Sequence, residues 1–293
     1  MGRRAFSIAI LALALCSVAF GGSLDVATIY NGQSAIPNTL KIGNWGADGK
    51  STDPIKPVAV KSAGNGIPIK TAGRYQGTRF DFASPIDTTQ FFGQQDAFIE
   101  LYVRTMPDDK AKNKTTAKMP DLTNLRFTFF TQTGIGTYSV QASDFYPKSF
   151  VNGGWFCIDL PLSKLDTKTN KIGGTMNRLV ISSDEDANFL LGRLAFIREV
   201  SAIRMNIATY PATLEVGKQI YFSSGVDGGA SACTVSWDFD TAGGASVDAT
   251  GDRVTYTYAN PGTYMVTCTA RDANGVKDPV TVTREIHVVR PTK

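Results

Sequence analysis

The chain holds one histidine, His287, close to its C-terminal end. A Ser-His or Cys-His pair therefore cannot be assembled anywhere else in it. Neither His-Glu-x-x-His nor paired Cys-x-x-Cys spacing occurs, which removes the common zinc chemistries. Glycoside hydrolysis needs only two carboxylates, but the glutamates are Glu100, Glu185, Glu199, Glu215 and Glu285, and the tight acidic run is Asp184-Glu185-Asp186. Its position between two apolar-periodic stretches reads as a hairpin turn. The residues thus point to a non-catalytic protein. Asp238, Asp240 and Asp248 offer hard oxygen ligands of the kind calcium takes. Their spacing fits no calcium-loop pattern, and capping of local backbone is the simpler use. The expectation is no cofactor, with calcium as the one structural ion these groups would suit.

A different chemistry needs neither acid nor base. Aromatic rings lie on the C–H faces of sugars while Asp, Glu, Arg and Gln bond the hydroxyls. Period-2 alternation places such residues together: Tyr75, Arg79 and Asp81; Phe98, Glu100, Tyr102 and Arg104; Arg126, Phe130 and Gln132; Trp155 and Asp159. From this set the expected ligand-binding residues are Tyr102 and Trp155 as stacking platforms, with Arg104, Glu100 and Asp159 as hydroxyl partners. Trp45, within Gly43-Asn44-Trp45-Gly46, is a second candidate ring on a loop, equally readable as an anchor for that loop.

The opposite parity of the same segments is apolar. Phe80 and Phe82, then Ile99, Leu101 and Val103, then Phe127 and Phe129 share a face; Phe156, Ile158 and Leu160, then Leu179 and Ile181, then Leu194 and Phe196 continue the series. Six strands with one apolar face each need two packed sheets to bury it. Residues 44–66 and 107–120 lack this pattern and read as long surface loops. The second contains Lys110, Lys112, Lys114 and Lys118, read as a solvated loop, and a glycosylation-type Asn113-Lys114-Thr115.

Arg3 and Arg4 precede an apolar run over residues 5–20, followed by Gly21, Gly22 and Ser23. This is the pattern of a secretory signal peptide, and the run is short of the roughly twenty residues a membrane span needs. Loss of the two arginines takes the formal net charge from +4 to +2, without a basic block that would suit nucleic acid. The expected product is secreted or extracellular, in a periplasm or at a cell surface, with no membrane span.

After residue 203 a second rhythm begins, with strands expected at 219–223, 233–240, 253–258, 263–270 and 280–289. Turn signals separate them: Gly228-Gly229, Gly243-Gly244, Asn260-Pro261-Gly262 and Asn274-Gly275. Alternation turns Val235, Trp237, Phe239, Val254, Tyr256, Tyr258, Val266, Cys268 and Ala270 inward. Cys233 shares parity with Trp237, so a Cys233–Cys268 disulfide is expected, leaving Cys157 outside any bridge. Residues 199–206 read as the linker between two units.

Two resemblances follow from these residues. Trp237-Asp238-Phe239-Asp240, Tyr256-Thr257-Tyr258, the run from Asn260-Pro261-Gly262 to Thr267, and Asp272-Ala273-Asn274-Gly275 resemble the polycystin-type (PKD) domain in order and spacing. Where that family continues with Gly-Asp-Gly, this chain has Asp240-Thr241-Ala242-Gly243-Gly244. The resemblance implies an immunoglobulin-like spacer or interaction module outside the cell. Phe80-Asp81-Phe82, Pro85-Ile86-Asp87, and Gly153-Gly154-Trp155-Phe156-Cys157-Ile158-Asp159-Leu160 resemble the galactose-binding-like jelly roll of carbohydrate-binding modules. The strand Leu191-Gly192-Arg193-Leu194-Ala195-Phe196 lacks the paired aspartates often found there. The expected architecture is all-β: a signal peptide (1–22), a jelly-roll sandwich (23–203) and a smaller immunoglobulin-like sandwich (204–293). The expected function is non-catalytic glycan binding, with a polysaccharide or surface glycan as partner and other extracellular proteins as further partners. The alternatives are a structural or adhesive part of a surface assembly, or a glycan-active enzyme.

Overall fold

The computed structural model describes residues 23–46, 54–60, 63–71, 76–106, 120, 122–141, 147–151, 154–165, 171–241, 244 and 246–291. The signal peptide, Tyr75, the four lysines of 110–118 and Asn113 lie outside the described residues.

The first unit is built from β1 (Ser23–Tyr30), β2 (Leu40–Trp45), β3 (Val58–Val60), β4 (Gly64–Thr71), β5 (Gln76–Asp87), β6 (Ala97–Thr105), β7 (Leu125–Thr131), β8 (Ile135–Ser139), β9 (Pro147–Val151), β10 (Trp155–Pro161), β11 (Thr175–Ser183) and β12 (Ala187–Glu199). One sheet runs β3-β4-β12-β6-β10-β9, with β1 paired to the second half of β12; the other runs β2-β5-β11-β7-β8. Apart from the hairpins β3–β4, β7–β8 and β9–β10, each successive strand changes sheet, so the two sheets are interleaved along the chain as in a jelly roll.

Alternation decides what fills the space between the sheets. Ile99, Leu101, Val103, Ile158, Leu160, Leu194 and Phe196 meet Phe80, Phe127, Phe129, Leu179 and Ile181 in one buried cluster. Each such side chain contributes about 1.5–3 kcal/mol by leaving water. Phe91, from the turn before β6, stacks on Phe196 with centroids 4.1 Å apart and closes one end of the core.

A bulge shapes β12. Its register against β6 shifts between Leu191 and Arg193, with Gly192 as the extra residue. Leu191 and Leu194 consequently both face the core although they are an odd number of positions apart, while Arg193 turns outward. Residues 44–66 also depart from expectation, since β3 and part of β4 form a hairpin there. Glycines at 64 and 66 and Pro68 inside β4 hide that strand from a pattern reading.

The second unit has β13 (Ala208–Tyr210), β14 (Leu214–Glu215), β15 (Ile220–Ser223), β16 (Cys233–Asp238), β17 (Ala249–Thr250), β18 (Arg253–Tyr256), β19 (Gly262–Asp272) and β20 (Val280–Val289). Sheets β13-β15-β18 and β14-β20-β19-β16-β17 enclose Phe222, Trp237, Phe239, Tyr258, Val266 and Cys268. Trp237 donates its indole N–H to Gly251 O at 2.8 Å, and Tyr258 donates its hydroxyl to Phe239 O at 2.9 Å. Both polar tips are thereby satisfied inside an apolar core. The chain is all-β, one β-sandwich followed by a smaller immunoglobulin-like one.

The expected disulfide is corrected by register. Cys268 stands opposite Trp237, and Cys233 opposite Asp272. The two sulfurs share a face but are offset by four residues, about 13 Å along the strands, and a bridge needs Cα atoms within about 7 Å. Cys157, Cys233 and Cys268 are in no disulfide.

The start of the expected linker is packed against the second unit. Glu199, the last residue of β12, accepts hydrogen bonds from the backbone N–H of Ser201 (2.7 Å), the Ser201 hydroxyl (2.5 Å) and the backbone N–H of Ala230. Lys277 Nζ lies 3.4 Å from the same carboxylate, with the two side chains 7% and 0% exposed. It also donates to Gly228 O. Beside this ion pair Ala230 packs on Phe98, Ala195 and Ile197. Gly229 adopts φ +60 at the contact, where an added Cβ would run into the Glu199 carboxylate.

Candidate functional site

The register does assemble the five residues expected to bind ligand. On the outer face of the larger sheet Asp159 pairs with Glu100 and Cys157 with Tyr102, while Arg193 stands opposite Tyr102 on the far side. The Arg104 guanidinium lies 5.8 Å from the Trp155 ring centroid, and that of Arg193 lies 5.7 Å from the Tyr102 ring. Alternation in β6 and β10 thus falls as the residue types suggest.

What overturns the expected roles is burial. Trp155, Asp159 and Arg104 are only 4%, 6% and 8% exposed. Trp155 donates its indole N–H to Ala63 O at 2.8 Å and packs with Val60 and Leu190 beneath the β3–β4 hairpin. Gly192 makes room for it, since a Cβ there would stand 2.9 Å from three ring carbons. Trp155 is a pin for the hairpin, and it offers no ring face for a sugar. Arg104 and Asp159 are likewise enclosed, and Glu100 and Tyr102 are half-buried. Burial, followed by the nearby Glu100 carboxylate, pushes the Tyr102 phenol well above its ordinary range. Burial works against the Arg193 charge, but Glu100 and Asp25 outweigh it, so the guanidinium is held charged more firmly than usual. Arg193 bonds Glu100 directly and reaches Asp25 at 2.6 Å.

Among the described residues, Glu100, Cys157 and Asp159 could present three donor atoms to an ion, all within 4.8 Å of one another. Arg193 already occupies Glu100 as counter-charge, and Cys157 Sγ donates toward Glu100 at 3.9 Å.

The smaller sheet presents a different face. Lys41, Asp81, Arg178, Phe130 and Ile135 form one cross-strand row, and Gly43, Arg79, Val180, Thr128 and Thr137 form the next. Trp45 reaches across the face, its ring centroid 5.6 Å from that of Phe130. The Arg178 guanidinium sits 5.4 Å from the Trp45 ring and 5.5 Å from the Phe130 ring. Its Nε also bonds Asp81 Oδ1 at 2.5 Å, while Arg79 Nε lies 3.2 Å from Oδ2. The acidic run 184–186 is not the expected hairpin turn, since it crosses from β11 in the smaller sheet to β12 in the larger one; its Asp184 is held bidentately by Arg126 at 2.6 and 2.5 Å. Bidentate and cation–π contacts of this kind hold long side chains in place without removing them from solvent. Beside this network, at the edge where Ile55 N–H donates to Ile42 O at 3.0 Å, lies a cleft of about 630 Å³. Sequence reading placed Arg79, Asp81, Arg126 and Phe130 on the same parity as the other candidates; which sheet each strand joins is what separates them.

In the second unit the aspartates cap backbone. Asp238 accepts from Asp240 N at 3.1 Å and Ser246 N at 3.0 Å, and Asp248 accepts from Phe239 N at 2.8 Å and the Ser246 hydroxyl at 3.1 Å. His287 is exposed, 3.3 Å from Glu285, and touches no site described above.

The PKD domain family matches residues 204–284. No curated protein matches the chain. Among solved structures, the PKD1 domain of Vibrio anguillarum Epp is similar at 18% identity, over 31% of this chain and 98% of that one, with a TM-score of 0.25. A beta-1,2-glucanase from Parabacteroides distasonis is similar at 13% identity over 92% of this chain, with a TM-score of 0.32. This chain spans 39% of the glucanase's length.

Proposed function

We propose that the chain is an exported, non-catalytic glycan-binding protein whose ligand lies on the open face of the β2-β5-β11-β7-β8 sheet, with the PKD-type unit as a fixed spacer. The observation that carries this reading is the Trp45–Arg178–Phe130 cluster beside the cleft. It joins aromatic surface to fixed hydrogen-bonding groups on a face that solvent reaches, the combination sugar recognition needs. Two carboxylates of the face, Asp81 and Asp184, are clamped by guanidinium groups. That is a structural use of carboxylates and supports binding over hydrolysis. The test is affinity electrophoresis and calorimetry on a panel of plant, algal and bacterial polysaccharides with the parent and Trp45→Ala. Binding by the parent that Trp45→Ala weakens, with an unchanged circular dichroism spectrum, is the expected result; binding unaffected by the substitution would move the site elsewhere.

A structural or adhesive role in an extracellular assembly is the second reading. It is favoured by the buried Glu199–Lys277 junction, which holds the two units in one arrangement.

A further inference from the structure

Among the described residues, the charge of the cleft is unbalanced. Ile36, Pro54 and Ile55 give it an apolar side, while Lys41, Lys56 and Arg79 line it as cations. Arg178 stands next to it through Asp81. Against these four positive groups the described residues of the cleft include one carboxylate, Asp81, with Oδ1 bonded by Arg178 and Oδ2 within 3.2 Å of Arg79 Nε. Lys41 and Lys56 are exposed and have no carboxylate or hydrogen-bond partner among the described residues. A neutral sugar would be held by rings and hydroxyl partners alone. Uncompensated like charges converging on one cleft raise the local potential and are stabilised by an anion. The guanidinium fork matches a carboxylate or sulfate, and the lysines act as point charges beside it.

Building on the glycan-binding reading, we propose that this cleft takes an acidic polysaccharide, with a uronate carboxylate or sulfate ester at Lys41, Lys56 and Arg79 and the sugar ring directed toward Trp45. The neighbouring aromatic and aliphatic surface distinguishes such a ligand from a bare polyanion, since a sugar ring offers C–H faces to both.

The experiment compares polygalacturonate, a sulfated galactan, a neutral galactan and a single-stranded oligonucleotide, using the parent chain, Lys41→Gln/Lys56→Gln and Trp45→Ala. Binding of either acidic glycan is expected, and the one preferred identifies the anion. The double lysine variant should weaken it about tenfold, which is roughly 0.7 kcal/mol per exposed charge contact. Added salt should weaken it as well, and Trp45→Ala should weaken it about tenfold or more. Equal affinity for neutral and acidic galactan, insensitive to the lysines, would overturn the acidic ligand while leaving glycan binding standing. Binding of the oligonucleotide as tightly as the acidic glycan would overturn the sugar class. Failure to bind any glycan would overturn this inference and the glycan reading together.

Discussion

Lys277→Met removes the ammonium from the junction and leaves a carboxylate with no exposed surface. At 3.4 Å and an effective dielectric of about 20, the direct attraction is about 5 kcal/mol. Breaking a buried pair from one side costs about 3–5 kcal/mol. Glu199 keeps three donors, from Ser201 N, Ser201 Oγ and Ala230 N, so the expected loss lies near the low end, about 3 kcal/mol. Urea unfolding followed by tryptophan fluorescence can locate it, because Trp45 and Trp155 report on the first unit and Trp237 on the second. The parent should lose both units in one transition, and Lys277→Met should split it. The pair Glu199→Leu/Lys277→Met should recover most of the loss, since apolar replacement of a buried ion pair is often neutral or better and the Phe98–Ala195–Ile197–Ala230 contact remains. A cost under about 1 kcal/mol, or two independent transitions already in the parent, would refute the reasoning.

Trp155→Ala should lower stability by about 3–5 kcal/mol as a core truncation, whereas Trp45→Ala should spare stability and weaken glycan affinity by about 1–3 kcal/mol; thermal melts beside affinity electrophoresis separate the two. Gly192→Ala should cost about 1–3 kcal/mol, because the new methyl meets the Trp155 ring at 2.9 Å. Without reductant, the unfolded protein produced from Ser23 onward should titrate three thiols. In the folded state Cys268 should stay silent at pH 8, since burial pushes its thiol up to about 12 and leaves about one thiolate in ten thousand. A chelator should leave the melting temperature unchanged, because the Asp238 and Asp248 carboxylates are already occupied by backbone N–H groups and Ser246; a shift on adding calcium would contradict that assignment.

Parity was legible along β6. Ile99, Leu101 and Val103 face the core and Glu100, Tyr102 and Arg104 face away from it, as the two-residue period requires. Alternation is silent about what lies over the outer face. Trp155 is covered by a hairpin whose carbonyl partner, Ala63, is 92 positions away, and Pro68 and the glycines of β4 conceal that hairpin from its own sequence. Parity is also blind to sliding by an even number of residues, so Cys233 and Cys268 shared a face on paper and are offset in the sheet. The open face contains Trp45, which Gly43 and Gly46 made look like a loop residue, although it ends β2. Gly228-Gly229 is indeed a turn. Its contact with Glu199 depends on a tertiary approach that turn chemistry does not encode.

The pairing of Ser23 with Glu199 means that the chain enters and leaves the first sandwich side by side, at one end of the larger sheet. The Ala230 contact covers the outer surface of that same sheet, and the Trp45–Arg178–Phe130 cluster decorates the opposite sheet. On the proposed glycan-binding reading, tethering and display fall on opposite sides of one body. Whatever is attached before Ser23 or after the second unit can hold the sandwich by its back like a plaque on a bracket. The front stays clear of its own support, at an angle fixed by Glu199 and Lys277.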